Sequence, residues 1–471
     1  MVFSSLVFLC IFLPIIFVVH SVVKSIKARN VLLIIASLLF YSFGEPVYVI
    51  LMVANALFNY LAALAMGRFN RKAVLVISVI ANIGCLCVFK YAGFFTETVN
   101  ACFGAHIPVP QIALPVGISF FTFQALSYVI DVYRGNVDTQ KNFAKLLLYI
   151  SFFPQLIAGP IVKYRDIAEE IDNRIVSIKE AAPGLRRFIV GLGKKVIIAN
   201  TMAVCADNIF NSDLAQVNVI AAWIGAVAYF MQIYFDFSGY SDMAIGMGRM
   251  FGFHFKENFN YPYAALNIKD FWRRWHISLS SWFKEYVYIP LGGNRKGKAR
   301  TVINKIIVFF LTGLWHGANW TFVVWGLFHG FFSFLEEFVP CMRRLPRVIG
   351  HIYLVVVVIV GFVIFRADTI GYGFGMIGKM FAGFQFSAGS MSLALQQLTP
   401  HFIVMLAAAV VTCGPLEKWI GRLKTGSDKT ELSGGERAAQ VISYIVAACL
   451  LAWCMIRLSS GAYNPFIYFR F

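Results

Sequence analysis

The chain of 471 residues is short of charge. Charged residues make up 14% of it against 59% hydrophobic, and its mean hydropathy is +0.71. So little charge cannot cover a water-exposed surface, which excludes a set of ordinary soluble domains. Acidic side chains are scarcer still, 23 Asp and Glu against 41 Lys and Arg. The resulting net charge of +18 would suit nucleic acid if it gathered on one face, but its distribution, described below, excludes that partner in favour of a membrane. None of the nine cysteines forms a CxxC that pairs with a second CxxC or with a His pair. That excludes a zinc site of the usual spacing and offers no disulfide framework. Cys85, Cys87, Cys205, Cys449 and Cys454 lie inside apolar runs and read as small hydrophobes. There is no internal repeat and no low-complexity tract. The first apolar run, Val2 to Val23, lacks a basic start and a small-residue cleavage site, so a membrane anchor is expected there rather than a removable signal peptide.

What is present is a series of apolar runs able to cross a hydrocarbon core of ~30 Å as helices. Spans are placed at about 2–23, 30–44, 46–66, 73–95, 112–132, 188–206, 217–240, 302–318, 320–338, 349–366, 400–416 and 439–457. Thirty-five of the 41 Lys and Arg then fall on alternate loops, 24–29, 68–72, 134–145, 163–195, 256–305, 343–347 and 418–437. Basic loops stay cytoplasmic, so both termini are expected on the outer side of a cytoplasmic membrane. The expectation is an all-α, polytopic integral membrane protein of about 11–12 transmembrane helices, forming a single domain over 1–471. The stretch "LSGGE" at 432–436 has the look of an ATP-binding cassette signature. No GxxxxGK[ST] phosphate loop accompanies it, and "GLGKK" at 191–195 does not fit one, so it reads as a polar turn.

Two segments break the hairpin pattern. Ala144 to Gly159 is apolar but carries Pro154 and the pair Gly159-Pro160, with basic residues on both flanks. It predicts a broken, re-entrant helix, which a bilayer tolerates only where protein or a water-filled cavity satisfies the freed backbone. Residues 241–300 are too polar to span and too aromatic for a free loop. Within them Trp272, Trp275, Leu279, Phe283 and Tyr286 follow one helical face, and Arg273, His276, Ser280 and Lys284 form a polar stripe beside it. That pattern predicts one helix lying in the membrane interface.

"LTGLWHGANW" at 311–320 places His316 inside an apolar run that starts near Val302. Intramembrane ionisable groups are costly and line paths or cavities. A neutral imidazole there can accept a proton at physiological pH. The alternative is a hydrogen bond to a neighbouring helix. The surrounding motifs favour chemistry. "FWRRWHISLSSW" with "YIPLGG", and then "LTGLWHGANWTFVVWGLFHG", strongly resemble the membrane-bound O-acyltransferase family, in particular its bacterial branch that O-acetylates alginate and peptidoglycan. The stretches 30–43, 114–135, 153–166, 235–248, 257–263, "FRA" at 365–367 and the terminal "PFIYFRF" fit the same pattern, so the resemblance covers essentially the whole chain.

The resemblance implies an enzyme that moves an acetyl group through a central tunnel. Acetyl-coenzyme A is the expected cytoplasmic donor, with no permanently bound cofactor and no metal. An extracytoplasmic polysaccharide is the expected acceptor, and a separate outer-face acetyltransferase the expected protein partner. The tunnel would run from the region of Arg273 and His276 to His316, with the Pro154–Pro160 segment in its wall. The family's catalytic histidine falls on His316, which would take the acceptor hydroxyl's proton. His276 either contacts substrate or caps and packs the interfacial helix. Trp315 or Asn319 would donate to the developing oxyanion, unless both only pack. Arg273, Arg274, Lys284, Arg295 and Lys296 could bind the phosphates of coenzyme A, although the charge rule alone also places them in the cytoplasm. Asp236 could orient a histidine, cap a helix end or pair with Arg249. At the C-terminus Pro465 stops the last helix, and the aromatic tail is expected to tuck back into the protein with Tyr468 as an acyl relay, or else as a docked anchor. Two rival functions stand beside this one. D-alanyl transfer to teichoic acid would use a carrier-protein thioester. A polysaccharide exporter or flippase would need a polar path but not His316.

Overall fold

The computed structural model describes residues 1–157, 159–343, 345–414, 434–461 and 463–467, and among them there are helices and no strands. Where no water reaches the backbone, helices satisfy its N–H and C=O groups internally. The fold is therefore all-α, that of a polytopic membrane protein. Six stretches are long and apolar enough to cross a membrane: Tyr48–Ala65, Arg71–Phe103, Ile178–Phe210, Val219–Met250, Arg347–Arg366 and Ala438–Ser459. Ala388–Gln397 and Pro400–Thr412, bent by 61°, add a seventh if they form one span. The other expected spans are shorter or more polar helices, Phe8–Val22, Ile26–Ser42, Ile118–Arg134, Lys298–His316 and Trp320–Phe338.

The chain forms two compact units, each assembled from three separated segments. The first comprises Met1–Phe188, Met243–Glu257 and Ser281–Pro290. Here Asn55, Asn59 and Asn82 join the helices Tyr48–Ala65 and Arg71–Leu86 through reciprocal amide bonds, Asn55 Nδ2 to Asn82 Oδ1 and Asn82 Nδ2 to Asn59 Oδ1, both 2.8 Å. Buried amides of this kind hold apolar helices together where hydrophobic contrast is lacking. The break expected near Pro154 is present, but it falls at Phe152, between helices Phe143–Ser151 and Phe153–Leu156. Its freed backbone is satisfied by protein: Phe153 N donates to Ser37 Oγ at 3.1 Å and Gln155 Nε2 to Tyr149 O at 2.5 Å. Glu285 binds Lys163 at 2.8 Å and also pairs with Arg165. Burial works against its ionisation, yet those two cations outweigh burial and hold its carboxyl below the usual range.

The second unit comprises Ile189–Asp242, Asn258–Ser280 and Leu291–Phe471. In it helices Lys298–His316 and Trp320–Phe338 form a close hairpin. A Cβ on Gly313 would lie 2.3 Å from Phe322 O, and one on Gly326 would lie 2.3 Å from Phe309 O. Small residues let the two backbones approach, so the turn between them is set by contacts along both helices.

The single interfacial helix expected over the tryptophan-rich segment is not formed. Helix Ile268–Arg274 stops, Trp275 is extended, His276 takes a left-handed φ of +45°, and helix Ile277–Phe283 starts afresh. Trp275, Leu279, Phe283 and Tyr286 are buried within their units rather than turned to lipid headgroups. The polar stripe is interrupted as well, since Arg273 and Lys284 are exposed and His276 is buried. The physical reason is a polar partner, Asn258, whose backbone and side chain both bind across the break.

Candidate active site

His316 is the last residue of its helix, and Asn319 caps the next one three residues later. Asn319 Oδ1 accepts from Thr321 N at 3.0 Å, and its Nδ2 donates to Asp368 O at 3.1 Å. The His316 ring is ringed by aromatic edges, with Trp315 at 5.0 Å, Trp325 at 5.1 Å and Phe365 at 5.2 Å between centroids. It lines a narrow cavity together with Ile233, Phe237, Trp275, Trp325, Phe362, Phe365 and Ile467. The cavity leaves about 10 Å³ for the centre of a water molecule, space for one water at most. None of the basic donor candidates lines it.

His276 belongs to the same unit and packs against Trp315, 5.9 Å between ring centroids, without lining the cavity. Its Nδ1 lies 3.1 Å from Asn258 Oδ1, which also accepts from Ser278 N at 3.2 Å and Ser278 Oγ at 2.9 Å. Asn258 Nδ2 donates to Ser241 Oγ at 3.1 Å, which fixes the amide with its oxygen toward the imidazole. An oxygen acceptor at Nδ1 assigns the proton to Nδ1 and leaves a lone pair on Nε2. Burial first, and the neighbouring His316 second, hold His276 well below the usual imidazole range, so its lone pair stays available at neutral pH. The left-handed backbone at His276 costs on the order of 1 kcal/mol or more and is maintained by these contacts.

Asp236 has partners other than those expected. It is paired with Lys195 at 2.8 Å, with both side chains almost fully buried, and its second oxygen accepts from Ile467 N at 2.9 Å. Lys195 Nζ also donates to Pro465 O. Asn200 binds Asn464 at 3.1 Å, and Tyr240 stacks on Phe466 at 4.7 Å. Residues 464–467 are thus docked in the second unit, as a tucked tail requires; Tyr468 lies outside the described residues. Arg249 is bound to Glu180 at 2.7 Å. It and Asp236 sit 13 positions apart on one helix, about 20 Å at the helical rise, too far to pair.

The basic candidates are dispersed. Arg274 is tied to Asp270 at 2.9 Å, and Arg273, Arg295 and Lys296 are exposed in the second unit. Lys284 is exposed in the first. Among the described residues no group of three or more His, Cys, Asp or Glu is placed to hold a metal. Asn258 and Lys195 were not singled out from the sequence. Asn258 lay inside a family motif, "ENFNYPY", while Lys195 was counted only as loop charge.

A family model of the membrane-bound O-acyltransferases matches residues 136–368. The chain is 37% identical to the "Probable alginate O-acetylase AlgI" of Azotobacter vinelandii over the full length of both proteins. It is 38% identical to the "Peptidoglycan O-acetyltransferase" of Helicobacter pylori over 79% of this chain and 78% of that one. It is also 30% identical to the "Teichoic acid D-alanyltransferase" of Bacillus subtilis over 55% of this chain and 69% of that one. With His316 lining a narrow cavity, His276 packed against the neighbouring Trp315 and full-length similarity of this degree, the chain belongs to the membrane-bound O-acyltransferase family and is an O-acyltransferase.

Proposed function

We propose that the chain is a membrane O-acetyltransferase. It takes an acetyl group from acetyl-coenzyme A at the cytoplasmic face of a bacterial cytoplasmic membrane and passes it across for O-acetylation of an extracytoplasmic polysaccharide, alginate-like or peptidoglycan. The observation that carries this reading is the meeting of His316 and His276 around Trp315.

A thioester is already activated, so the step needs a base for the attacking hydroxyl. His316 takes that proton as the hydroxyl oxygen bonds to the acetyl carbon, and the carbon–sulfur bond then breaks to release the thiolate, which is reprotonated. His276, buried beside Trp315 with a lone pair on Nε2, would offer a second acceptor for the proton once substrate opens the site. Trp315 supplies an indole N–H toward the oxyanion. Arg273, Arg295 and Lys296, exposed as they are, suit the coenzyme's phosphates. In this reading Tyr468 carries the acetyl group briefly before an outer partner takes it. A D-alanyl transferase has weaker support, because that similarity spans 55% of the chain. An exporter would have no use for the paired imidazoles.

The test is release of coenzyme A by purified protein in nanodiscs, with polysaccharide acetylation in cells as a second readout. His316→Ala should lower both by about 10²-fold or more at unchanged thermal stability and abundance. Activity above about a tenth of the wild type, where loss of the base should cost far more, would refute the assignment.

A further inference from the structure

The cavity at His316 is walled by side chains that have little room to step aside. Apart from the imidazole, its lining is entirely aliphatic or aromatic. The aromatic walls are wedged by further rings. Phe362 lies 5.3 Å from Trp275, Phe237 lies 5.0 Å from Phe259, and Phe365 lies 4.9 Å from both Trp325 and Phe322. Ile233 and Ile467 are the aliphatic walls, 5% and 3% exposed. Both are β-branched, which leaves them few rotamers. Ile467 is also pinned through its backbone N–H, 2.9 Å from Asp236. An interior packed in this way takes an extra methylene only with strain. The space of about 10 Å³ for the centre of a water molecule therefore admits one group of roughly that size, and a methyl group is such a group.

We infer that Ile233 and Ile467 fix the length of the acyl group: they hold the acetyl methyl beside His316 and leave no room for a further carbon. The inference rests on the O-acetyltransferase reading and sharpens it. The chemistry of the walls selects the group. A methyl asks for no hydrogen bond, whereas a D-alanyl group would bury its ammonium in a cavity whose lining holds no carboxylate, at a high desolvation cost. The two walls come from distant parts of the chain. Ile233 belongs to helix Val219–Met250, and Ile467 belongs to the docked tail, next to the residue that receives the group in the proposed reaction. The acyl site is complete only while the tail is seated, so the acceptor and the size limit arrive together.

The experiment measures coenzyme A release by the full chain in nanodiscs from acetyl-, propionyl- and butyryl-coenzyme A, and takes the ratios of kcat/KM. One methylene in a hydrophobic pocket is worth about 10–200-fold, so the wild type should favour acetyl over propionyl by about tenfold or more. Ile233→Ala and Ile467→Ala should each cut that preference by about tenfold, with butyryl-coenzyme A gaining activity as well. Ile233→Val, which removes a single methyl group, should fall between. The ratio is read from active molecules alone, so a variant that folds only in part still reports it. Met231→Ala, buried on the same helix but outside the cavity, should lower the yield and leave the ratio as it is. Propionyl used as readily as acetyl by the wild type, an unchanged ratio in both alanine variants, or an equal shift in Met231→Ala would each overturn the inference, while His316-dependent release still upholds acyl transfer. No His316-dependent release from any of the three thioesters would instead overturn the acetyltransferase reading, and the size limit with it.

Discussion

Replacing Lys195 by Met should loosen the protein beside the His316 cavity, which Ile467 lines. Lys195 and Asp236 are 3% and 2% exposed at the side chain, 2.8 Å apart. Removing the ammonium leaves a carboxylate buried without its counter-ion, which costs about 3–5 kcal/mol. Asp236→Leu strands the ammonium in the same way and also deprives Ile467 N of its acceptor, adding about 1 kcal/mol. The double variant buries no lone charge, so it should be more stable than either single variant, with a coupling of several kcal/mol rather than additive losses. The tail behaves differently. Each single variant removes one of its two anchors at Pro465 and Ile467, and the double variant removes both, so docking should not recover with stability. Thermal unfolding in detergent gives the first quantity, and the rate of carboxypeptidase trimming gives the second. Single variants within about 0.5 kcal/mol of wild type, the range of neutral surface changes, would refute the reasoning. A double variant that trims as slowly as wild type would refute it as well.

Three further outcomes are expected. Asn258→Ala leaves His276 Nδ1–H and Ser278 without their acceptor, a loss of about 1–3 kcal/mol, so turnover should fall by tenfold or more while the KM for acetyl-coenzyme A holds; unchanged turnover would detach His276 from the reaction. Gly313→Ala drives a methyl group against Phe322 O and should cost about 1–3 kcal/mol or misplace His316, read as a lower monodisperse yield, whereas Gly330→Ala, whose nearest neighbour is the Phe309 side chain at 3.3 Å, should be milder. Glu285 has a folded pKa below its usual 4.5, so its contribution is present above that pH and lost as pH falls through the folded value. Glu285→Gln should therefore lower the melting temperature at pH 7, and its gap from wild type should close in acid; a gap independent of pH would deny the pairing with Lys163 and Arg165.

The membrane class was legible in composition, because an apolar chain with this charge distribution has few alternatives. His316 was legible too, since an ionisable residue within an apolar run stands out locally. The break at His276 was not. The spacing of Trp272, Trp275 and Leu279 continues smoothly through it, and its cause, Asn258, is distant in sequence. The pair of Lys195 and Asp236 was hidden for a similar reason. Lys195 looks like one more cytoplasmic cation, and only the fold turns it inward, in the wide-turned helical segment Lys194–Ala199, a local widening often found where a helix serves a function. Asn319 was read as an oxyanion donor or a packing residue, and its side chain is engaged by the backbone of Thr321 and of Asp368.

Each unit is stitched from three separated stretches of chain, and this sets an order of events during synthesis. The first unit cannot close when residue 188 leaves the ribosome, because its last strip, Ser281–Pro290, follows two insertions' worth of the other unit. Its Glu285 counter-ion arrives long after Lys163 and Arg165 are in place. The second unit waits longer, for Pro465 and Ile467 come after every other segment that Lys195 and Asp236 touch. Contacts so far apart in sequence form slowly. Until Pro465 and Ile467 are made, two opposite charges must sit together in an unfinished interior, without the backbone they will grip. A chain cut short before Pro465 would carry His276 and His316 but leave that grip empty.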